Sequence, residues 1–316
     1  MYNAKLGFWI CLGFSILNLV FICSILCLLP AGTSFAGISS VGTAGADFLL
    51  LDVGARPTAM GGAFAAIADD SNAIAYNPAG MALFKKEELQ ATHIDYMALI
   101  PYEHISYAQP ISGAVIGFSI FSLHTDIWKT DADGNDIMYG RVISSQNAYA
   151  FSLAFKLRTD LYFGTNLKGI YVSTYTYSAG SGALDLGLLY KIGNASLGLV
   201  GQHLGLPLKM YSQSDALPAN IKLGCGIKIP EADMFVALDL NKAYDIDIPR
   251  LNFGTEFWAI SWMALRGGLR LGYDLGDWTM GMGFKVKILG NLTFIDYAYV
   301  PMIIDNTHRF SMIIKF

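Results

Sequence analysis

The chain has 316 residues, a net charge of −4 and a mean hydropathy of +0.42, with 53% hydrophobic and only 15% charged residues. The acidic balance offers nucleic acid no basic surface. The apolar excess fits a soluble domain badly, yet after residue 29 no run of about 20 apolar residues supplies a membrane helix.

Lys5 is the only charge in residues 1–36, and an apolar run from Leu6 to Leu29 follows it. Pro30, Gly32 and the triplet Ser34-Phe35-Ala36 close the segment, so a secretion signal is expected over residues 1–36, cleaved after Ala36. The run is also long enough to span a bilayer, which leaves an uncleaved anchor as the alternative. Cleavage would leave 20 basic and 25 acidic residues, a net charge of −5. Cys11, Cys23 and Cys27 would leave with the signal, and Cys225 alone makes neither an intramolecular disulfide nor a cysteine metal cluster.

From Glu87 onward apolar and polar residues alternate. Over Leu217–Ile229, Ala219, Ile221, Leu223, Cys225, Ile227 and Ile229 share one face, and Asn220, Lys222, Gly224, Gly226 and Lys228 the other. Trp278–Ile288 repeats the pattern, and Arg266 and Arg270 lie opposite Leu265, Leu269 and Leu271. Segments of about ten residues with period two, apolar outward and polar inward, are what lipid-exposed strands require. The predicted fold class is therefore all-β, a transmembrane antiparallel barrel of about 14 strands. The predicted strands are 87–97, 102–109, 113–123, 143–157, 161–177, 183–191, 195–204, 218–229, 234–241, 250–259, 263–273, 278–288, 292–300 and 307–316. Short turns at Arg158–Asp160, Ile192–Asn194, Pro230–Asp233, Ser261–Trp262 and Leu289–Asn291 face longer links at Thr125–Val142, Gly205–Leu217 and Lys242–Pro249. That asymmetry matches periplasmic turns against outer loops in the outer membrane of a Gram-negative-type cell, with both barrel termini periplasmic. The last strand stops on Phe316 and resembles the signal read by the barrel-assembly machinery.

Residues 37–86 do not alternate. They are rich in Gly and Ala, with a short helix expected around Thr58–Ala68 and a turn at Asp69–Asn72. Here Gly42-Thr43-Ala44-Gly45-Ala46-Asp47-Phe48-Leu49 precedes Gly54-Ala55-Arg56-Pro57-Thr58-Ala59-Met60-Gly61-Gly62-Ala63, and then come Ala68-Asp69-Asp70 and Asn77-Pro78-Ala79-Gly80-Met81. Together these resemble the amino-terminal signature of the PorV/PorQ and UPF0164 outer-membrane proteins. That group resembles the FadL long-chain fatty-acid transporters, which share the Asn-Pro-Ala motif. The resemblance implies a hatch inside the barrel, with Arg56, Pro57, Met60, Gly61, Gly62, Asp69, Asp70, Asn77, Pro78, Ala79 and Gly80 as its motif residues. Volume agrees: fourteen strands at ~4.8 Å leave a lumen on the order of 7,600 Å³, and fifty residues fill about 6,500 Å³. The expected division is a signal (1–36), a hatch (37–86) and a barrel (87–316).

No catalytic constellation and no cofactor motif emerges. His93, His104, His124, His203 and His308 are scattered without a metal-ligand spacing. Asp131-Ala132-Asp133-Gly134-Asn135-Asp136 reads as a polar turn, because the glycine an EF-hand loop needs at its sixth position is Asp136 here. Gly224/Gly226 and Gly281/Gly283 lie on the lumen face and leave room for a plug. The inward charges Lys168, Asp185, Lys222, Lys228, Asp239, Glu256, Arg266, Arg270, Lys285, Lys287 and Arg309 are expected to pair with one another and with the hatch. Arg266 and Arg270 are the candidates for a ligand carboxylate. Two functions follow from the resemblance. One is a FadL-like channel for hydrophobic small molecules such as long-chain fatty acids, gated by the hatch. The other is a PorV-like partner of a type IX-like secretion system that binds cargo or translocon and transports nothing. The expected partners are outer-membrane lipid, the assembly machinery, and either that hydrophobic ligand or secretion proteins.

Overall fold

The structure, a computed structural model, describes residues 44–96, 100–130, 136–174, 177–244, 246, 248–273, 276–302 and 305–316. The expected signal (1–36) and most of the Asp131–Asp136 turn lie outside the described residues. The strands, in chain order, are β1 (Glu88–Tyr96), β2 (Ile100–Ile111), β3 (Ala114–Thr130), β4 (Asp136–Arg158), β5 (Leu161–Thr174), β6 (Tyr177–Ile192), β7 (Ala195–Gly205), β8 (Leu208–Met210), β9 (Gln213–Asp215), β10 (Asn220–Ile229), β11 (Met234–Ala243), β12 (Arg250–Ile260), β13 (Met263–Leu271), β14 (Trp278–Ile288), β15 (Asn291–Val300) and β16 (Thr307–Lys315). All but β8 and β9 close into one antiparallel barrel of fourteen strands. Each barrel strand pairs with its neighbours in sequence, β7 meets β10 across the small β8–β9 hairpin, and β16 closes on β1 with Glu88 opposite Lys315.

The alternation read from sequence is the alternation of burial. On β1, Glu88, Gln90, Thr92 and Ile94 are buried while their neighbours are exposed. Large apolar side chains stand outward instead: Phe118, Phe151, Leu167, Leu199, Ile221, Leu269 and Phe310 are all exposed. A wall with polar residues buried and apolar ones exposed is inverted relative to a soluble protein and is stable only with lipid outside. Outward aromatic pairs mark both rims, Trp262 with Phe284 at 6.1 Å and Trp278 with Tyr299 at 6.0 Å. Cys225 shares the outward face, because Gly224 and Gly226 on either side of it meet the chain inside.

Two of the expected outer links need correction. The link foreseen at Thr125–Val142 is mostly strand, with Asp126 paired to Ile143 and Trp128 to Arg141. The 17 residues of β3 climb roughly 43 Å at ~3.3 Å rise and ~40° tilt, past an apolar band about 25 Å tall. Beyond the lipid nothing enforces alternation, so the pattern fades while the pairing continues. The link Gly205–Leu217 likewise contains the β8–β9 hairpin, whose Leu208 is buried against the chain near Ala46.

Residues 44–87 are enclosed by the wall. They hold two short helices, α1 (Ala55–Ala59) and α2 (Ala73–Tyr76), and 3-10 turns at Asp47–Leu50 and Pro78–Leu83. The helix expected over Thr58–Ala68 stops early, because Gly61 and Gly62 take φ of 66° and 81°, a left-handed bend that ends the turn. This inner segment touches β3 at Gly117, β5 at Gly164, β7 at Gly198, β10 at Gly224, β12 at Gly254, β14 at Gly281 and β16 at Ser311. Contacts so distributed around a closed cylinder place the segment inside it.

Candidate functional site in the barrel lumen

The inner segment is held by charge on one side of the barrel. Arg56, at the second position of α1, donates Nε and Nη2 to Glu256 of β12 at 2.7 and 3.0 Å. Its Nη1 donates to Asp69 and Asp70 of its own segment at 2.5 and 2.6 Å. Arg266 of β13 shares Glu256 at 2.7 Å and reaches Asp296 of β15 at 2.6 Å. Strand pairing dictates this geometry, since Glu256 lies directly opposite Arg266. Every carboxylate of the network has a guanidinium partner, which is what makes burial of such charges tolerable. Arg270 pairs with Asp52 at 3.1 Å, and Arg309 donates to the Asp52 carbonyl and the Thr58 hydroxyl. At the end holding the barrel termini, Glu88 accepts from the Ser71 amide and hydroxyl and pairs with Lys315 at 2.6 Å.

On the other side main chain meets main chain. A Cβ at Gly164 would sit 2.2 Å from the Pro78 carbonyl carbon, and one at Gly198 2.2 Å from the Ala65 carbonyl oxygen. Only glycine admits so close an approach. Asn77 secures the bend: its Nδ2 donates to the carbonyls of Ala65 and Leu188 at 2.7 and 3.1 Å, and its Oδ1 accepts from the Ala79 amide at 3.1 Å. Pro78 then opens the next turn, where its missing N–H costs nothing. Asn166 of β5 donates to the Ile74 carbonyl, and Asp239 of β11 accepts from the amides of Phe64 and Ala65 at 2.9 and 2.8 Å.

Space remains above and below. At the far end, opposite the barrel termini, a small cavity of about 40 Å³ is lined by Leu49, Val53, Tyr102 and Phe121 with Lys168, His203 and Lys222. A pocket of about 30 Å³ shares Leu50, Asp52, Asn220 and Lys222 with it and adds Arg250 and Tyr273. At the termini end, cavities of about 220 and 210 Å³ share Asp69, Lys228 and Phe235. Their walls include Trp258, Phe294, Ile67 and Leu83, with Lys191, Lys285 and Lys315.

The motif residues therefore converge on one structure. Arg56, Asp69 and Asp70 form one network; Met60 and Ala79 are fully buried; Gly61 and Gly62 make the bend after α1; Gly80 backs onto Ala68. Pro57 is buried within α1. Arg266 has two carboxylate partners and a side chain 1% exposed, while Arg270 lies 4.0 Å over the Tyr273 ring as well as on Asp52. Phe316 stands at the outer edge of the last strand, its amide donating to Glu87 at 3.0 Å. Asp52, Glu88 and Asp296 escaped the sequence reading, Asp52 because it sits in a stretch without periodicity. Asp296 did carry a signal, being the one charged residue in the largely apolar and aromatic run Leu292–Val300.

Residues 36–185 match the family model described as an uncharacterised protein family, UPF0164. That match covers 150 of the 316 residues, the segment before β1 and the first strands of the barrel. Among solved structures, the chain is similar to the Ralstonia pickettii toluene transporter TbuX at 13% identity, with 83% of this chain and 97% of that one covered and a TM-score of 0.59. The Pseudomonas putida toluene transporter TodX matches at 13% identity over 83% and 96% of the two chains, with a TM-score of 0.60. A Pseudomonas aeruginosa FadL homologue matches at 11% identity over 84% and 98%, with a TM-score of 0.58. Identities this low speak for the fold, which implies the outer membrane. No curated protein matches the sequence.

Proposed function

We propose that the protein is an outer-membrane channel for small molecules with an apolar body, and that residues 37–86 are its hatch. The observation that carries the reading is the far-end cavity, where Leu49, Val53, Tyr102 and Phe121 give an apolar surface in contact with the inner segment itself. A ligand there touches the part that must move, so binding and opening are coupled by contact. The structural neighbours, described as toluene transporters and a FadL homologue, support the same class of cargo. In this reading the barrel termini face the periplasm, the signal is removed after Ala36, and the cavity faces the outside. A second reading, a secretion partner that transports nothing, draws on the strand-like β8–β9 link, beside which Leu206 and Tyr211 are 71% and 77% exposed.

Deletion of residues 41–80 tests the hatch. The strands supply their own closure, so the shortened protein should fold to a heat-modifiable barrel. In planar bilayers it should conduct ions far better than the intact protein. Equal conductance would show that the segment is no plug. A conducting deletion with no binding of apolar ligands by either form, and none copurifying from outer membranes, would replace the channel with the secretion partner.

A further inference from the structure

The inner segment crosses the lumen from one mouth to the other. It joins β1 at the termini end, where Ser71 already meets Glu88. Its first described residues lie at the opposite end. Near the start of β2, the Tyr102 hydroxyl donates to the Phe48 carbonyl at 3.5 Å, and the two rings meet edge to face at 6.4 Å. Asp52 takes Arg270, one residue before β13 ends. Ala46 turns the chain at this mouth with φ of 66°, a left-handed conformation that is costly for a residue with a Cβ.

The β8–β9 hairpin closes over that turn. The Gly45 amide donates to the Ala216 carbonyl at 2.9 Å. A Cβ at Gly45 would lie 3.0 Å from that of Leu208 and 3.4 Å from that of Asp215, so glycine is what fits beneath the hairpin. Leu208 and Leu217, each 4% exposed, join Phe48 and Val53 in one apolar cluster. The hairpin is tied in turn to β6. The Leu206 amide donates to the Gly182 carbonyl at 3.0 Å, the Ser181 hydroxyl donates to the Leu206 carbonyl at 2.5 Å, and the rings of Tyr177 and Tyr211 lie 5.2 Å apart. A two-stranded hairpin with three residues a side has little stability of its own. It keeps its place by what it covers.

We infer that the hatch is latched from the outside: the chain enters the lumen at the outer mouth, with Ala44 and Asp47 on the cell-surface side, and the β8–β9 hairpin is the latch. Leu208 must lift off Gly45 before residues 44–53 can rise out of the mouth. The deeper grips at Glu256 and Glu88 take no part in that step. Segments that open locally are drawn from such weakly held elements. The inference rests on the orientation given above, with the barrel termini in the periplasm, and not on any cargo.

A membrane-impermeant maleimide on intact cells tests the path, in a Cys225→Ser background. Ala44→Cys and Asp47→Cys should label as readily as Ile248→Cys, which is 67% exposed on an outer link. Glu231→Cys, in a turn at the termini end, should label only once the outer membrane is opened. Labelling of Ala44→Cys and Asp47→Cys only together with Glu231→Cys would overturn the inference, and so would labelling of neither before denaturation. Labelling of Glu231→Cys but not Ile248→Cys in intact cells would sink the orientation and this inference with it. Expected labelling with no passage of apolar ligands would leave the inference standing without the channel. Proteinase K added outside tests the latch, read as cuts within residues 44–53. Leu208→Ala should raise them about tenfold, since cleavage follows the population of the open form. Gly45→Cys with Asp215→Cys stands close to the ~3.5–4.5 Å Cβ spacing of a disulfide. Oxidised, that pair should resist the protease, and reduction should restore cleavage, which controls for folding. Wild-type cleavage in both Leu208→Ala and the oxidised pair would overturn the latch.

Discussion

The two sides of the lumen hold the same inner segment by different means. On β12, β13, β15 and β16 buried ion pairs of Arg56, Glu256, Arg266 and Asp296 add to a close backbone approach at Gly254 and Gly268. On β5, β6 and β7 the grip is steric, with glycines letting the backbone at Ala65 and Pro78 lie on the wall and Asn77 bonding across. An ionic grip is strong only while all its members are present, because the loss of one leaves the others buried and uncompensated. A steric grip is weaker per contact but has no such cliff.

The largest break should come from Arg56→Ala. It leaves Glu256, 1% exposed, with one partner and strips Asp70 of its guanidinium; the expected cost to docking of the segment is about 3–5 kcal/mol. Native-state proteolysis of residues 44–84 in a folded barrel reads this directly, since cleavage follows the population of the open form. Adding Glu256→Gln should recover part of the loss if buried charge is the cause, and no recovery would assign the cost to packing.

Gly164→Ala probes the steric side. Its Cβ would meet the Pro78 carbonyl, backbone that cannot turn aside, so docking should weaken by roughly 1–3 kcal/mol. Cleavage should then appear first near Pro78, whereas Arg56→Ala should expose Asp69 and its neighbours first. Identical cleavage patterns in the two variants would mean the segment leaves as one rigid piece. Asn77→Ala should have the smallest effect. It removes the Ala79 turn bond and both carbonyl contacts, for about 1–2 kcal/mol by the same proteolysis. A null result there would place the hold of that bend in Pro78 and the glycines.

The wall was legible and the inner arrangement only in part, for one reason. Each strand of a membrane barrel faces lipid on one side and the lumen on the other, so every second residue from Glu88 to Lys315 reports its environment. Ile221 beside Lys222, or Leu265 beside Arg266, settles a register without reference to any partner strand. Where lipid ends the signal ends too, and the upper part of β3 and β4 pairs without the alternation that marks a strand in the sequence. In the inner segment no such boundary exists, and the helix foreseen over Thr58–Ala68 proved to be Ala55–Ala59 followed by a glycine bend.

Alternation along the chain was enough for the barrel, its strand number, the outward face and the stretch that would not be strand. The sequence also marked the residues of the motif, but not what each one meets. It took the folded barrel to show that Arg56 reaches Glu256 across 200 residues and that Asp239 takes the Phe64 and Ala65 amides. Those facts depend on where closure of the sheet carries strands far apart in the chain. Closure is a property of all fourteen strands together, and no local pattern records it.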